Sequence, residues 1–372
     1  MRRLLIITAV YTGHGHKSIS DSLIERLKVY EDIEVMDIDG FDLMTKVQQV
    51  CAEKSYGPIT RLPAKAWATS YAAGAKLKQP VERMIAKMIR ARFEKLIYDF
   101  KPDCILSVHP IFNGSVINLL EEMNLKIPFI LHQADLIDIA TYYIDARADL
   151  TLSPSQEAYD CTVAQGVAPE KVRKIGFPVR SRFMGLVEKA KQRKREELTI
   201  TVMSGSEGSG LIRVVTRELL RNTNAHVNVI CGRNKKLVKK LKKAFTKQYY
   251  GRVNVMGFVE RIQDVMCESD ILVMRASPNS VMEAVALNKP VILFGQLAGQ
   301  ELHNPQMLEK HGLAKYCPDP EMLVGCVNDL TANGGAKIER MIECQKAYAP
   351  GDVCAETAKL INDFIKPYGW ER

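Results

Sequence analysis

Two histidines lie in a glycine-rich segment near the start of the chain, Tyr11-Thr12-Gly13-His14-Gly15-His16-Lys17-Ser18. A neutral imidazole here could take a proton from an attacking hydroxyl group, and the N–H groups of a following helix could face a ligand. The segment matches neither the G-x-G-x-x-G dinucleotide-binding loop nor the G-x-x-x-x-G-K-[ST] P-loop. The alternative is that Ser18 caps a helix and the histidines pack locally. Neither histidine has metal-ligand spacing to another His or carboxylate, so no metal site is predicted.

Polar residues also follow two later apolar runs. His109 ends Ser107-Val108-His109-Pro110, and Asp135 ends His132-Gln133-Ala134-Asp135. Asp135 could orient an imidazole, bind a substrate hydroxyl or cap the next element. His109 at the carboxyl end of a strand suits a site, but a single histidine there could equally be structural.

Three segments of the second half could bind a sugar nucleotide. The small residues from Ser204 to Gly210 would let an anionic or sugar-like group approach main-chain donors. Glu283 could accept two hydrogen bonds from a ribose diol, or it could simply favour the amino end of a helix. The amide and carboxylate side chains in Ala298-Gly299-Gln300-Glu301-Leu302-His303-Asn304-Pro305 suit a polyol such as a hexose.

The elements that must position these residues follow from hydrophobic patterning. Short β-branched runs alternate with helix-period segments, and this order restarts after residue 198. The alternation predicts βαβ units and a mostly parallel sheet, twice over. We therefore predict an α/β fold of two Rossmann-like, doubly wound domains that face each other across a cleft, with ligands bound at the carboxyl ends of the strands.

Composition excludes several classes of protein. The sequence is 47% hydrophobic and carries a net charge of +9, so it is too apolar for a disordered chain. Its 372 residues are enough for about two domains. Nine Cys without a C-x-x-C pair indicate reduced thiols in a cytosolic protein. The apolar start has no cleavage-type small-residue site after it, so it is predicted to be a buried strand and not a signal peptide. No stretch is long enough to span a bilayer, so we expect any membrane contact to be peripheral.

Taken in order, the segments resemble those of the GT-B glycosyltransferases of the monogalactosyldiacylglycerol synthase and processive diacylglycerol glucosyltransferase group. The likeness extends over nearly the whole chain. The matching pieces are the segment ending in His16, residues 102–110, Ser153-Pro154-Ser155, residues 166–179, Cys231-Gly232-Arg233-Asn234, Met256-Gly257-Phe258-Val259, and Gly299-Gln300-Glu301 with Asn304.

The resemblance implies a role for each candidate residue. His16 would be the general base and Asp135 would lie nearby, while Glu283 would hold the ribose of a UDP-sugar. The other residues implied in nucleotide-sugar binding are Gly205, Ser206, Gly208, Arg233, Phe258, Ser277, Ser280, Gln300, Glu301 and Asn304. Those implied in acceptor or membrane contact are Gly13, Gly15, His109, Trp67, Tyr71, Arg83 and Lys87. No cofactor is implied beyond the UDP-sugar donor, and no metal.

Two departures from the family pattern bear on the site. The family's A-G-P-G-T is here Ala276-Ser277-Pro278-Asn279-Ser280, without either glycine, so side chains could crowd a diphosphate or hydrogen-bond to it. The family's V-T-D is replaced by His132-Gln133-Ala134-Asp135, and the His-Pro that commonly follows is absent. The acceptor could therefore differ from diacylglycerol.

Two basic stretches could meet an anionic surface. Residues 61–95 hold nine Lys or Arg against Glu82 and Glu94, with aromatic and apolar residues interleaved, as in a helix that lies on an anionic bilayer. An ordinary cytosolic helix face is the alternative. Residues 233–247 hold eight basic residues and no acid, but without a nucleic-acid motif, so solvated charge or added attraction to anionic lipid is favoured over nucleic acid.

These observations predict an inverting, metal-independent transfer of a hexose from a UDP-sugar to a lipid hydroxyl. The expected location is the cytoplasmic side of the cell membrane, on its inner face. Alternatives are N-acetylglucosaminyl transfer to a polyprenyl-diphosphate lipid, a nucleotide-sugar epimerase, and a non-catalytic sugar- or lipid-binding protein. We expect residues 1–178 to bind acceptor and membrane, 179–198 to be a linker, 199–350 to bind the nucleotide sugar, and 351–372 to form a helix that could pack on the first domain. The sequence does not specify the oligomeric state.

Overall fold

A computed structural model describes residues 1–10, 14–50, 64–187, 197–204, 211–296, 300–349 and 351–370, and for residues 14 and 64–76 it describes the backbone alone. The chain divides into two compact units. The first consists mainly of residues 1–180 and 352–372, and the second mainly of residues 181–297 and 301–351. Each unit is a parallel sheet with helices, so the predicted fold class, two Rossmann-like α/β domains, is confirmed.

The first unit contains six parallel strands in the order β2-β1-β3-β4-β5-β6. Leu4 to Ile7 on β1 are fully buried, which explains the unbroken apolar run in the sequence, because helices cover both faces of such a sheet. The strands are β1 (Arg2–Thr8), β2 (Ile33–Asp39), β3 (Cys104–Ser107), β4 (Phe129–His132), β5 (Leu150–Ser153) and β6 (Val172–Lys174).

The helices with both ends in the described part of this unit's strand connections are α1 (His14–Leu27), α2 (Ala64–Phe100), α3 (Pro110–Glu122) and α4 (Gln156–Ala164). Helix α3 begins where the sequence favours a start, because His109 is the N-cap and Pro110 occupies the first turn. Helices α2 and α3 pack so closely that Gly114 of α3 lies against the Glu82 side chain of α2, where a Cβ atom would collide.

The second unit contains a second parallel sheet with the strand order β12-β11-β10-β7-β8-β9. Its core combines the inner faces of these strands with apolar residues from the flanking helices. The strands are β7 (Thr199–Met203), β8 (His226–Ile230), β9 (Val253–Met256), β10 (Ile271–Met274), β11 (Val291–Leu293) and β12 (Lys315–Tyr316). The helices are α5 (Leu211–Asn222), α6 (Lys235–Leu241), α7 (Ile262–Glu268), α8 (Pro278–Ala286), α9 (Asn304–Lys310), α10 (Leu323–Thr331) and α11 (Ala336–Tyr348).

The last helix, α12 (Val353–Phe364), belongs to the first unit and packs on α1. Arg2 on β1 donates to the Asn362 carbonyl at 2.7 Å, and the Trp370 indole donates to the Pro102 carbonyl at 2.9 Å. These bonds hold the last residues of the chain against the amino-terminal sheet. None of the helices described in the structure is both long and apolar enough to cross a bilayer.

The strand order places one switch point in each sheet. In the first sheet, the chain passes from β1 outward to β2 on one side and from β3 outward to β6 on the other, so the strand order reverses between β1 and β3. In the second sheet, the order reverses in the same way between β7 and β10. Crevices at the carboxyl ends of the strands beside such a boundary are where open α/β sheets bind ligands. The candidate residues that follow β1, β3, β7 and β10 should therefore hold the chemistry.

Candidate active site

His16 and His109 meet at the switch point of the first sheet. His109 directly follows β3 and caps α3, and His16 lies in the first turn of α1, which follows β1. Because β1 and β3 are neighbours, the two imidazole rings lie edge to face with centroids 4.6 Å apart. Helix α1 begins at His14, which excludes the alternative that Ser18 caps it. Ser18 lies inside the helix, where its carbonyl accepts a hydrogen bond from the Ser22 hydroxyl.

The main chain determines which ring nitrogen of His16 is available. Its Nδ1 lies 3.0 Å from the Val108 carbonyl oxygen. Because a carbonyl can only accept, Nδ1 carries the proton in the neutral ring and Nε2 carries the lone pair. The hydroxyl of Tyr143 lies 3.3 Å from the same Nδ1. Tyr143 was missed by sequence reasoning, because it lies in a single 3-10 turn, Thr141–Tyr143, without a recognisable motif.

Burial keeps the three imidazoles of this region neutral near pH 7. Desolvation lowers the pKa of His16 to about 4, and the hydrogen bond to the Val108 carbonyl offsets only part of this effect. Desolvation likewise lowers the pKa of His132 to about 4, with a smaller contribution from His16. The pKa of His109 is well below its usual value, first through burial and then through the neighbouring His16. His16 is therefore poised as a neutral base.

Asp135 and Gly15 occupy the same end of the sheet as the histidines. Asp135 follows β4 and is buried, while Gly15 lies in the first turn of α1. Among the residues the structure describes, no three His, Cys, Asp or Glu side chains are grouped to hold a metal ion. Metal independence stays a prediction.

The exposed face of α2 carries both apolar and basic side chains. Leu77 and Met84 are each more than half exposed, and the exposed Arg83 and Lys87 flank Met84. This combination is typical of a helix that lies in a membrane interface. Trp67 and Tyr71 belong to the same helix, but their side chains lie outside the described part of the structure, as do Gly13, Gly205, Ser206 and Gly208.

In the second unit, α8 begins at the switch point, directly after β10. Ser277 is its N-cap, with φ −77° and ψ 126°, and its hydroxyl makes no capping hydrogen bond. Neither Ser277 nor Asn279 has a positive φ, so the loss of the two family glycines creates no backbone strain. Ser277 and Ser280 remain partly exposed beside the first-turn N–H groups, an arrangement that favours an anion. Glu283, one turn further, is only 5% exposed.

Glu301 and Asn304 connect α8 to the chain segment that follows β11. Nη2 of Arg275 donates to Glu301 Oε1 at 3.2 Å, and Arg275 Nε lies 3.1 Å from Glu301 Oε2. Asn304 is fully buried, and its amide donates to the Ala276 carbonyl at 3.0 Å. Both residues thus hold the loop before α8 in place, while Gln300 is partly exposed. The contacts of Gln300, Glu301 and Asn304 with the sugar stay predictions. Sequence reasoning missed Arg275 as the partner of Glu301.

Arg233 and Phe258 form a stacked pair at the carboxyl ends of β8 and β9. The guanidinium carbon lies 4.7 Å from the centre of the Phe258 ring, and this ring is 60% exposed. An exposed aromatic ring supported by a cation is a suitable platform for a planar base.

Each of the two units matches the model of a known protein family. The model of the monogalactosyldiacylglycerol (MGDG) synthase family matches residues 16–179, and that of the glycosyltransferase family 28 C-terminal domain matches residues 199–350. The chloroplastic monogalactosyldiacylglycerol synthase of Spinacia oleracea is 26% identical over 98% of this chain and 73% of its own length. The processive diacylglycerol beta-glucosyltransferase of Staphylococcus epidermidis is 23% identical over 98% of this chain and 95% of its own.

Among solved structures, MurG of Acinetobacter baumannii has the same fold, with a TM-score of 0.66 and 13% sequence identity over 98% of this chain and all of its own. The two sheets, their switch points and the matched families define this chain as a GT-B glycosyltransferase. Within that class it is similar to the monogalactosyldiacylglycerol synthases, whose family model matches residues 16–179, and to the processive diacylglycerol glucosyltransferases. The resemblance inferred from the sequence motifs is confirmed.

Proposed function

We propose that this chain transfers a hexose from a UDP-sugar to the hydroxyl of a diacylglycerol-like lipid, with inversion at the anomeric carbon and without a chelated metal. The observation that carries the proposal is the environment of His16. Its Nδ1 is engaged by the Val108 carbonyl, so the neutral ring offers Nε2 as a base. The relatives named for diacylglycerol glycosylation support the choice of acceptor.

The second unit holds the donor in this proposal. The first turn of α8 faces the diphosphate, with its N–H groups and the hydroxyls of Ser277 and Ser280 as donors. Glu283 accepts hydrogen bonds from the ribose, and the uracil ring stacks near Phe258. Donors fixed in place before the reaction stabilise the charge that develops on the departing diphosphate.

The reaction is a single displacement. The acceptor oxygen forms a bond to the anomeric carbon as the bond from that carbon to the UDP oxygen breaks, and the acceptor proton passes to His16 Nε2. UDP leaves with the bonding electron pair. Attack from the face opposite to the leaving group inverts the anomeric configuration.

A pKa of about 4 for His16 is compatible with this role. An alcohol is far too weak an acid to lose its proton to such a base before the reaction begins. Its oxygen becomes strongly acidic as it bonds to the anomeric carbon, so the proton moves late in the displacement, when a weak base suffices. The low pKa keeps the imidazole unprotonated over the whole physiological range.

The lipid acceptor calls for a membrane contact, which we assign to α2. Its exposed Leu77 and Met84 can enter the interface while Arg83 and Lys87 meet anionic head groups. We propose that the protein lies on the cytoplasmic face of the cell membrane.

A product screen tests the proposal. Full-length protein is incubated with a panel of UDP-hexoses and a lipid extract, without divalent metal and with a chelator, and products are identified by mass. The expected product is a lipid heavier by one hexose, with the anomeric configuration inverted in its NMR spectrum. Transfer of N-acetylglucosamine to a polyprenyl diphosphate, or isomerisation of the UDP-sugar without an acceptor, would instead support one of the two enzymatic alternatives.

A further inference from the structure

A second basic surface lies on the second unit, far along the sequence from α2. It consists of α6 and the π-helical turn Lys242–Thr246 that continues it, with one further lysine beyond. We call it the lysine surface, and its members are Lys235, Lys236, Lys239, Lys240, Lys242, Lys243 and Lys247. All seven side chains are exposed.

The core of the unit fixes the direction of these lysines. Leu241 and Phe245 are buried in the hydrophobic core, and Leu237 and Val238 pack against it. The opposite side of the segment must then face solvent. Because side chains three or four positions apart share one helix face, the lysines form rows along that side.

The lysine surface lacks compensating charge. No Asp or Glu occurs in the sequence between Glu218 and Glu260. Within the described ranges of the chain, no carboxylate forms an ion pair with any of the seven lysines. Like charges four positions apart destabilise a helix, and Lys235 and Lys236 lie in its first turn, where the dipole disfavours cations. Lys239 and Lys240 lie in the last turn, where the dipole favours cations, and core packing of Leu241 and Phe245 holds the segment in place. The repulsion between neighbouring lysines remains, and an external anionic partner would relieve it.

We infer that the lysine surface binds an anionic lipid bilayer. The choice of partner rests on the proposed function, since an enzyme that glycosylates lipids must reach its acceptor at a membrane. All seven residues are Lys, which attract diffuse negative charge without the bidentate geometry that makes Arg suited to individual phosphates. Tyr250, three residues past the last lysine, is 89% exposed, as an aromatic side chain at a membrane interface would be.

Vesicle binding tests the inference. The full chain is sedimented with phosphatidylcholine vesicles, alone or with about one third phosphatidylglycerol, and a variant with K236Q, K239Q, K240Q and K243Q is compared. Because each lysine near the surface adds to the attraction, removing four should weaken partitioning onto the anionic vesicles at least about tenfold. Binding of the wild type should also fall steeply as salt is raised.

Two matched variants separate the surface from total charge. K28Q, K126Q, K310Q and K366Q remove the same charge from exposed lysines elsewhere, and binding should change less than about twofold. Replacing the same four lysines of the surface by Arg should preserve binding. Equal losses in both glutamine variants would overturn the inference, as would a surface variant that binds vesicles normally but no longer binds a single-stranded oligonucleotide.

The test also distinguishes this inference from the proposed function. Transfer is measured separately with the lipid acceptor in neutral detergent micelles, where the lysine surface is not needed. If transfer is normal but vesicle binding does not depend on the lysines, the inference is refuted and the proposed function is not. Lysine-dependent vesicle binding without any transfer refutes the proposed function and leaves the surface as a membrane contact.

Discussion

At the scale of single residues, His16 derives its proposed role from two neighbours along the sheet. The Val108 carbonyl fixes its tautomer, and His109 packs edge to face against its ring. The glycines and histidines of residues 11–18 are enough to predict a reactive loop from the sequence. They could not predict the contacts with Val108 and Tyr143, which are separated from His16 by 92 and 127 positions and meet it only in the folded sheet.

The pH dependence of transfer follows from the lowered pKa of His16. A base is active when unprotonated, so kcat/KM should stay level from about pH 8 to pH 5.5 and fall only as pH approaches about 4. The unfolded chain binds more protons than the folded one between about pH 6.5 and 4, so the fold also weakens in acid. Circular dichroism at each pH separates the two effects. An acid limb near pH 6.5 with the fold intact would show that His16 titrates normally.

Glu283 should govern the affinity for the nucleotide. Replacing it by Gln keeps its size but removes the charge that strengthens hydrogen bonds to the ribose, so UDP should bind about tenfold more weakly by calorimetry. Glu260→Gln, at an exposed site of the same unit, is the control and should bind UDP normally. If both variants bind UDP as the wild type does, Glu283 has no part in ribose binding.

At the scale of helices and strands, the apolar runs and helix-period segments could be predicted from the sequence, including strands as short as Phe129–His132, but a few short strands could not. The apolar run of β1 and the carboxy-terminal helix α12 follow from burial and helical spacing. Strands β5, β6 and β12 have four, three and two residues. Pairing with a neighbouring strand stabilises such short segments, and local sequence carries little information about it.

The contact between α2 and α3 depends on Gly114. A Cβ atom there would collide with the Glu82 carboxyl group, so Gly114→Ala should lower the free energy of unfolding by about 1–3 kcal/mol in denaturant titrations. In a Glu82→Ala background the same change should cost clearly less, because the collision is gone. Gly325→Ala is the control, since nothing lies near that site on α10. Equal costs of Gly114→Ala in both backgrounds would contradict the packing described.

At the scale of the whole molecule, the chain returns to the first unit after completing the second. The Tyr368 amide donates to Asp103 at 2.6 Å, the Tyr368 hydroxyl accepts from the Lys126 amide at 3.0 Å, and Trp370 donates to Pro102. The last residues therefore contribute to the stability of the amino-terminal sheet. Sequence spacing predicts the helix α12 but not these bonds, whose partners lie more than 240 positions away.

Loss of the Trp370 side chain should loosen the first unit selectively. We expect Trp370→Ala to accelerate hydrogen exchange in β1 and β3, equivalent to about 1–2 kcal/mol, while β7 and β10 exchange as before. Trp370→Phe keeps a ring beside Tyr98 and Tyr368 but loses the indole donor, and its effect should be smaller. Unchanged exchange in β1 and β3 would show that the last residues do not stabilise the sheet.

The two units divide the chemistry that we propose, with the base in the first and the donor-binding residues in the second. The most direct test of this account is the rate of hexose transfer by His16→Ala, measured at saturating UDP-sugar and lipid together with UDP affinity. The account predicts a fall of about 10²–10⁴-fold in kcat with UDP affinity unchanged, since the base does not touch the donor. Transfer at the wild-type rate by a folded His16→Ala protein would contradict it.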